Sequence, residues 1–339
     1  MRVAVVGAGL QAKRRIQPVV ESPGDELVVV SSGSGETARA LADGFGCEAA
    51  VGWEEVVARP DVDAVIICTP PHLHADIALA AVQAGKHVLC EKPLARTLEE
   101  GERMLAAAAE RGVVLRCGFN HRYHPAVRQV REWVDAGLIG EVMFIRCRYG
   151  HCGRPGYEAD WRSDPRLVGG GHLMEHGIHA IDLIRWFLGE IDEVMAFCET
   201  QFWPIAPLED NAFVLFRSGS GQVASLHASL TQWRNLFSFE VFGRDGYASI
   251  EGLGGSYGGE RAVLGHRDFT APFAEQVVEF RAADRSWHDE WREFAGAVAA
   301  PRGDDCGGRD GLEAMRLVLA AYQAAQDGAP ARLTAGRYV

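Results

Sequence analysis

A turn with two glycines directly after the first apolar segment constrains the fold more than any other feature of the sequence. Residues 2–6 are Arg-Val-Ala-Val-Val, which predicts a buried parallel strand, and Gly7, Gly9 and Ala12 follow before a helix-compatible stretch. The first glycine permits a tight turn, the second lets the backbone approach a pyrophosphate, and the small third residue allows close helix–strand packing. The pattern predicts a dinucleotide-binding βα unit with phosphates at the helix N-terminus. The predicted contacts are Gly7, Gly9, Leu10, Gln11 and Ala12.

Strand-like and helix-like segments alternate along the chain after this turn. Residues 26–32, 64–68 and 86–90 are further candidate strands, with alanine-rich helical stretches between them. This alternation predicts an α/β fold with a doubly wound parallel sheet, whose ligands bind at the carboxyl ends of the strands. Residues that follow two of these strands are therefore further candidate cofactor contacts, although His74 could instead simply open the next helix. They are Thr69, Pro70, His74, Glu91 and Lys92.

The end of the second strand bears on cofactor preference. Sites for NAD usually place an acid about 20 residues past the glycines to bind the ribose 2′-hydroxyl. Here the segment is Ser31-Ser32-Gly33-Ser34, and no acid stands at the strand's end. We expect Ser31 and Ser32 to contact the cofactor and favour NADP(H), because hydroxyl groups tolerate a 2′-phosphate. A tip of glycine and serine also admits NAD.

Charge, cysteines and hydropathy restrict partners and compartment. The formal net charge of −12 disfavours nucleic acid or an anionic membrane as a partner. The eight cysteines include no C-x-x-C pair, and several fall within apolar strands, which indicates reduced thiols in a cytoplasm. No apolar stretch approaches the length of a membrane helix, and no export signal precedes the first strand. We expect a soluble, cytoplasmic protein.

The organisation changes near residue 121, where the alternation gives way to closely spaced strands joined by glycine and serine turns. The candidate strands are 141–148, 193–202, 211–217, 222–230, 236–242 and 248–250, and helices resume at 287–299 and 311–326. We predict a Rossmann domain at 1–121 and, at 122–339, a substrate-binding and oligomerisation α+β domain with a largely antiparallel open sheet. The reactive cleft would lie between them. An open sheet needs one face covered, so we expect a homodimer or homotetramer.

Several short motifs occur in an order that points to one family. They are the glycine turn, Thr69-Pro70-x-x-x-His74, Cys90-Glu91-Lys92-Pro93-Leu94, Gly118-Phe119-Asn120-x-Arg122 and Gly169-Gly170-Gly171-x-Leu173-x-Glu175-x-Gly177-x-His179-x-x-Asp182. Together they resemble the Gfo/Idh/MocA oxidoreductases, which include glucose–fructose oxidoreductase and inositol dehydrogenase. The resemblance implies an NAD(P)-dependent dehydrogenase or reductase. Its substrate would be a secondary hydroxyl or ketone of a sugar, cyclitol or sugar nucleotide.

The resemblance also places the family's catalytic Asp and His at Glu175 and His179, and we predict Lys92 as a third catalytic residue. A secondary alcohol loses a proton as its hydride leaves, so a base with a pKa near the working pH is needed, which favours His179. Lys92 would hydrogen-bond the substrate oxygen, and it is a rival for the proton. Glu175 shares a helical face with His179 and would orient the substrate or tune the histidine, or only pair with Arg162 or Arg185. The family has Asp at this position, and Glu is one methylene longer.

Aromatic and arginine side chains are the candidates for sugar binding, because rings stack on sugar faces and guanidinium groups bind hydroxyls or phosphates. The predicted substrate-binding residues are Lys92, Arg122, Tyr123, Trp161, Arg162, Glu175, His179, Trp233 and Tyr257.

Two alternatives compete with this interpretation. His172, Glu175 and His176 match the H-x-x-E-H motif of a zinc hydrolase. His172 follows three glycines, however, so we expect it at or before the helix start, where the i, i+4 metal geometry would fail, and we predict no metal. The second alternative is a non-catalytic NAD(P)-binding redox sensor, which would have no need of Lys92, Glu175 and His179 in one cleft.

Overall fold

The structure, a computed structural model, describes residues 1–269, 274–300, 307–334 and 337–338. The chain forms two compact units. Unit 1 comprises Met1–Asn120, Arg166–Gly169 and Trp287–Glu313, and unit 2 comprises His121–Pro165, Gly170–Ser286 and Ala314–Val339.

The first unit is built from alternating strands and helices. Its first eleven elements are β1 (Arg2–Val6), α1 (Leu10–Glu21), β2 (Glu26–Ser32), α2 (Gly35–Phe45), β3 (Glu48–Val51), α3 (Glu54–Ala58), β4 (Ala64–Ile67), α4 (His74–Gln83), β5 (His87–Cys90), α5 (Leu98–Arg111) and β6 (Leu115–Cys117). The sheet order is β3-β2-β1-β4-β5-β6 and every pairing is parallel. The predicted doubly wound parallel sheet is confirmed.

A large sheet dominates the second unit. The later elements are α6 (Pro125–Asp135), β7 (Val142–Gly150), α7 (Ile178–Leu188), β8 (Ile191–Glu199), β9 (Asn211–Ser218), β10 (Val223–Ser229), β11 (Leu236–Gly243), β12 (Gly246–Glu251), β13 (Glu260–His266), β14 (Glu275–Phe280), α8 (Ser286–Ala299), α9 (Gly307–Asp327), β15 (Ala331–Thr334) and β16 (Arg337–Tyr338). The order is β14-β13-β12-β11-β7-β10-β9-β8-β15-β16. Within this second sheet, β7 and β10 are the only described strands that pair in parallel, so the sheet is largely antiparallel, as predicted.

Helix α8 and the start of α9 belong to the first unit, although the predicted second domain included them. The reason is hydrophobic packing, because Trp291 and Phe294 of α8 join the core that contains Val3, Val30 and Ile66. Aromatic side chains of this size contribute strongly to core stability when they are fully buried. The change of organisation near residue 121 coincides with the junction of the units, but the chain returns to unit 1 later.

One face of the second sheet carries exposed apolar side chains. Along β9, Ala212, Val214 and Phe216 are buried, whereas Phe213 and Leu215 are 48% and 52% exposed. This alternation is the period-2 pattern of a sheet with only one face packed on a core.

Helix length and cysteine pairing are the two structural features related to the predicted compartment. No helix in the described residues is both long and apolar enough to cross a bilayer. The seven cysteines outside the undescribed segments form no disulfide.

Candidate active site

The glycine turn has the geometry that a bound dinucleotide needs. Gly7 has φ +105°, and a Cβ there would lie 2.5 Å from the Cys68 carbonyl oxygen, so no other residue fits. At Gly9 a Cβ would meet no atom within 4 Å. Helix α1 begins at Leu10 without a side-chain cap. Its first N–H groups are therefore available to an anion, which is the arrangement expected for a pyrophosphate.

Two buried hydroxyls near the carboxyl ends of β2 and β4 also fit a dinucleotide. The Oγ of Ser31 and the Oγ1 of Thr69 have no hydrogen-bond partner among the residues that the structure describes. Buried polar atoms of this kind usually have one, and a ligand or water would supply it. Ser32 lies at the tip of β2, where its Oγ accepts hydrogen bonds from Thr37 Oγ1 at 2.9 Å and from the Ser34 N–H at 3.3 Å. These atoms at the ends of β1, β2 and β4 fit NAD or NADP.

Lys92 follows β5 in a loop that is held from two directions. The Glu91 N–H donates to the Ile67 carbonyl at 2.9 Å, and the Lys92 N–H donates to Glu91 Oε2 at 3.3 Å. His74 is fully buried, and its ring nitrogens lie 2.8 Å from the Pro93 carbonyl and 2.9 Å from the Thr69 carbonyl. Burial lowers the pKa of His74. With both nitrogens on protein carbonyls, His74 positions the Lys92 loop, so any effect on a cofactor is indirect.

A buried ion-pair network fixes Glu91, the residue before Lys92. Arg15 Nε donates to Glu91 Oε1 at 2.7 Å, and Arg15 also pairs with Glu290 of α8. The three side chains are at most 7% exposed, and Arg15 lies over the Trp287 ring at 4.5 Å. Burial raises the pKa of Glu290 to about 7, although Arg15 opposes this shift. The sequence analysis singled out neither Arg15 nor Glu290.

His179 lies on α7 and packs face to face against a second histidine. The rings of His121 and His179 are stacked with centroids 3.9 Å apart and planes 13° apart. His121 Nε2 lies 3.0 Å from the Tyr149 hydroxyl, and the Tyr257 ring lies 5.2 Å from that of Tyr149. Burial raises the pKa of Tyr149 well above its ordinary value, so its phenol is neutral. Tyr257 was predicted as a site residue, but His121 and Tyr149 were missed.

Arg122 and Tyr123, which were predicted to bind the sugar, both make contacts within the protein. Arg122 donates through Nε and Nη2 to both oxygens of the buried Asp182, at 2.7 and 2.6 Å. This bidentate pair joins the turn at Asn120–Tyr123 to α7 and so supports the stacking of His121 on His179. Tyr123 is buried and lies under the Arg128 guanidinium at 4.8 Å.

The motif before α7 requires glycines because buried side chains fill the space around it. A Cβ at Gly171 would overlap the Glu209 carboxylate, and one at Gly170 would overlap the Tyr322 hydroxyl. Glu209 accepts hydrogen bonds from the N–H groups of Gly171 at 3.1 Å and Leu173 at 2.8 Å and from the Tyr322 hydroxyl at 2.9 Å. Glu209 thus binds N–H groups where a π-helix, Leu173–Gly177, begins.

Glu175 lies on this π-helix within an ion-pair cluster. Its Oε1 accepts from Arg162 Nε at 2.9 Å, and its Oε2 lies 2.6 Å from His176 Nδ1. The Arg162 guanidinium lies over the Trp161 ring at 4.4 Å. The alternative in which Glu175 pairs with Arg162 therefore describes the observed contact.

One reason given against a metal site is wrong. His172 has helical angles, φ −66° and ψ −30°, and its ring stacks on that of His176 at 4.9 Å, so the i, i+4 geometry does not fail. His151 joins them, and one ligand atom each from His151, His172, Glu175 and His176 lies within 4.8 Å of the others.

Trp233 lies at the exposed end of a row of aromatic rings. It is 61% exposed and contacts Phe202 edge to face at 4.8 Å. Phe202 contacts Trp203 at 5.3 Å, and Trp203 contacts Tyr157 at 5.9 Å. The sequence analysis named only Trp233 of this row, because isolated aromatics in loops carry no signal of their mutual contact.

Comparisons with known proteins bear on the whole chain. The model of the oxidoreductase family with an NAD-binding Rossmann fold matches residues 1–119, and the GFO/IDH/MocA C-terminal domain model matches residues 127–249. Levoglucosan dehydrogenase of Pseudarthrobacter phenanthrenivorans is 30% identical over 282 residues, which cover 73% of this chain and 72% of that protein. The 1,5-anhydro-D-fructose reductase of Ensifer adhaerens is 34% identical over 248 residues, with 72% and 74% covered. A structure of levoglucosan dehydrogenase with NADH and levoglucosan has a TM-score of 0.89 at 25% identity and covers 99% of each chain.

Proposed function

This chain belongs to the Gfo/Idh/MocA family of oxidoreductases, and from that membership we propose that it oxidises or reduces one ring carbon of a small cyclic sugar or cyclitol. It is an NAD(P)-dependent oxidoreductase that transfers hydride between a nicotinamide cofactor and a secondary hydroxyl or ketone. The finer proposal is carried by one observation, the buried His121–His179 stack beside tyrosine side chains.

We assign the proton transfer to His179. When a hydroxyl is oxidised, its proton passes to an imidazole nitrogen of His179, and in the reductive direction the imidazolium returns it. The Lys92 ammonium group hydrogen-bonds the same substrate oxygen and stabilises negative charge on it. The nicotinamide supplies only the hydride acceptor or donor. Glu175 positions Arg162 and His176, with which it is in contact.

Aromatic rings and hydroxyls support a sugar as substrate. Tyr149 and Tyr257 pack beside the histidine stack, and Trp161 is paired with Arg162. Flat rings cover the C–H face of a pyranose or cyclitol, while phenol and guanidinium groups bind its hydroxyls. Trp233 belongs to the exposed end of the aromatic row and would contact a substituent rather than the reacting ring.

For the cofactor we propose a preference for NADP(H) over NAD(H). The support is the tip of β2, where Ser32 takes the place of an acid. The measurement is the ratio of kcat/KM for the two oxidised cofactors. In Ser32→Asp, the added carboxylate would repel the 2′-phosphate and shift the ratio toward NAD, whereas Ser220→Asp in the β9–β10 turn should leave it unchanged.

We also propose a cytoplasmic homodimer or homotetramer formed through the second sheet. The support is the exposed face that carries Phe197, Phe213 and Leu215, which are 63%, 48% and 52% exposed. Sedimentation as a monomer at micromolar concentration would contradict this.

The direct test of the function is a panel of cyclic sugars and cyclitols assayed for cofactor reduction, together with the matching ketones assayed for cofactor oxidation. We expect turnover with at least one member and none with open-chain alcohols. Tight cofactor binding without turnover across the panel would favour the redox-sensor alternative.

A further inference from the structure

Three histidines and one glutamate of unit 2 face a common centre. The ring centroids of His151, His172 and His176 lie 4.6 to 5.1 Å apart in pairs, and a ligand atom of Glu175 completes the group within 4.8 Å. We propose that this cluster binds one divalent transition-metal ion through the three imidazoles, with zinc the best match. Imidazole nitrogen suits zinc, and three histidines are a known ligand set for it.

The ligands stand on elements that the fold holds firmly. His172 and His176 are four residues apart at the start and within the π-helix, and the His172 N–H donates to the Glu209 carbonyl at 3.0 Å. His151 directly follows β7, where its N–H donates to the Ser229 carbonyl at 3.0 Å. A metal site requires such fixed backbones, because its ligands must keep their geometry within a fraction of an ångström.

The ligand atoms lie within 4.8 Å of one another, which is wider than the spacing around a bound ion. Zinc–nitrogen bonds of about 2.0–2.1 Å place tetrahedral ligand atoms about 3.4 Å apart. Small rotations of the imidazoles would therefore close the present cluster around an ion. Three neutral imidazoles leave one position of a tetrahedral ion open to water or to a ligand oxygen.

Glu175 acts as a positioning residue for this site. Its Oε2 lies 2.6 Å from His176 Nδ1, which leaves Nε2 of that ring for the metal. A carboxylate on the second nitrogen is the usual support of a ligating histidine. The other oxygen accepts from Arg162 at 2.9 Å. Since both carboxylate oxygens have these partners, the geometry disfavours Glu175 as the water-activating base of a zinc hydrolase.

One existing contact opposes metal binding. The Gly153 N–H donates to His151 Nδ1 at 3.0 Å. A ligating neutral imidazole keeps a proton on its other nitrogen, so this hydrogen bond is lost whichever nitrogen binds the metal. We therefore expect His151 to contribute less to affinity than His172 and His176.

The position of the cluster suggests what the metal does, and this step rests on the proposed function. The Tyr149 ring lies 5.7 Å from His176, and its hydroxyl bonds to His121, which stacks on His179. The side chains of Glu175 and His176 are 17% and 21% exposed, so the cluster is accessible from solvent. We expect the open position to take a hydroxyl oxygen of the sugar, next to the carbon that reacts.

The experiment is titration of zinc chloride into the untagged, full-length chain after removal of metals with a chelator, followed by calorimetry and metal analysis. We expect one ion per chain. His172→Ala and His176→Ala should each weaken binding by more than about 100-fold, because even the loss of a supporting partner costs about 10–100-fold. His266→Ala, which removes an exposed histidine at the end of β13, should bind as the wild type does.

A second measurement guards against misfolded variants. Zinc should raise the thermal midpoint of the wild type and of His266→Ala but not that of His172→Ala, because only a ligand that binds the folded state stabilises it. Glu175→Gln should retain the ion with about 10–100-fold weaker affinity. No binding by the wild type, or equal binding by all variants, would overturn the proposal.

Metal binding and the proposed function can fail separately. Turnover of a sugar by a chain that binds no zinc in the titration would leave the oxidoreductase intact and remove the metal site. Stoichiometric zinc with no turnover of any cyclic sugar would do the reverse. If both hold, removal of zinc should raise KM for the sugar and leave the Kd for the cofactor unchanged.

Discussion

Lys92 and His179 are held in place by different kinds of structure. Around Lys92 the support comes from charge and from backbone carbonyls, namely the Arg15–Glu91–Glu290 network and the His74 bridge. Around His179 the support includes ring packing against His121, whose Nε2 lies 3.0 Å from the Tyr149 hydroxyl.

Because of this difference, the regions around Lys92 and His179 should tolerate substitutions differently. A buried ion pair that loses one partner leaves an uncompensated charge, which destabilises the whole fold. A stacked ring can be replaced by another ring with little loss of packing. We therefore expect defects around Lys92 to appear as lost stability, and defects around His179 to appear as lost catalysis in a folded protein.

The largest effect should follow from removal of the reacting groups themselves. His179→Ala and Lys92→Ala should each lower kcat by about 10²–10⁴-fold, the usual contribution of a positioned acid–base group. The Kd for NAD(P)H, measured by fluorescence titration, should change little in either variant. Only His179→Ala should abolish the acidic limb of the pH profile of kcat/KM, if this imidazole carries the proton. Wild-type turnover in either variant would refute the assigned roles.

Removal of the buried guanidinium is the next test of the comparison. Arg15→Gln leaves Glu91 and Glu290 buried without their cation and should lower the free energy of unfolding by about 3–5 kcal/mol. Arg14→Gln is the matched control, since Arg14 is exposed, with a hydrogen bond to Gln11 at 3.4 Å and its guanidinium 5.8 Å from the Trp287 ring, and we expect a change within about 0.5 kcal/mol. Urea denaturation measures both. Equal stability of the two variants would mean that the network does not support the Lys92 loop.

The sequence predicts the first of these regions better than the second. Lys92 lies just after the carboxyl end of a parallel strand, and ligands of doubly wound sheets bind at such ends. The predicted strand was therefore enough to predict Lys92 as a site residue. No local pattern links Arg15 to Glu290, which are 275 residues apart. For the same reason α8 was assigned to the wrong unit, because periodicity shows that Trp291 and Phe294 face a core but not which core.

The structure around His179 depends on contacts that the spacing of residues in the sequence does not reveal. The glycines before His172 predicted a helix start, but the Glu209 carboxylate binds the N–H groups of Gly171 and Leu173, and His172 is already helical. His121 and Tyr149 come from a short turn and a distant strand, and only the fold brings them together. Strand β14 was missed because its sequence, Glu-Gln-Val-Val-Glu-Phe, does not alternate between apolar and polar residues, and none of the six is buried.

A smaller effect should appear in the pH dependence of stability. The pKa of Glu290 is raised from 4.5 to about 7 in the folded state, so folding favours the protonated form. Its contribution is complete below about pH 4.5 and is lost as pH rises through about 7. The wild type should lose up to about 3 kcal/mol relative to Glu290→Gln across that window. Urea denaturation at a series of pH values tests this, with Glu293→Gln, which alters a half-exposed neighbour, as the control.

The smallest effect concerns the histidine stack and tests whether ring packing alone suffices there. His121→Phe keeps a ring against His179 but removes the hydrogen bond to Tyr149, and we expect kcat to fall about tenfold, close to the loss of one hydrogen bond. An apolar neighbour disfavours an imidazolium, so the acidic limb of the kcat/KM profile should move to lower pH.

Tyr149→Phe removes the same hydrogen bond from the other end. If that bond is what positions His179, the double variant should be no slower than the slower single variant. Additive losses, or an unmoved pH profile with a lowered unfolding free energy, would show that His121 serves packing alone. In that case the contacts that support His179 would be as indirect as those that support Lys92. The two regions would then differ only in Tyr149 and Tyr257.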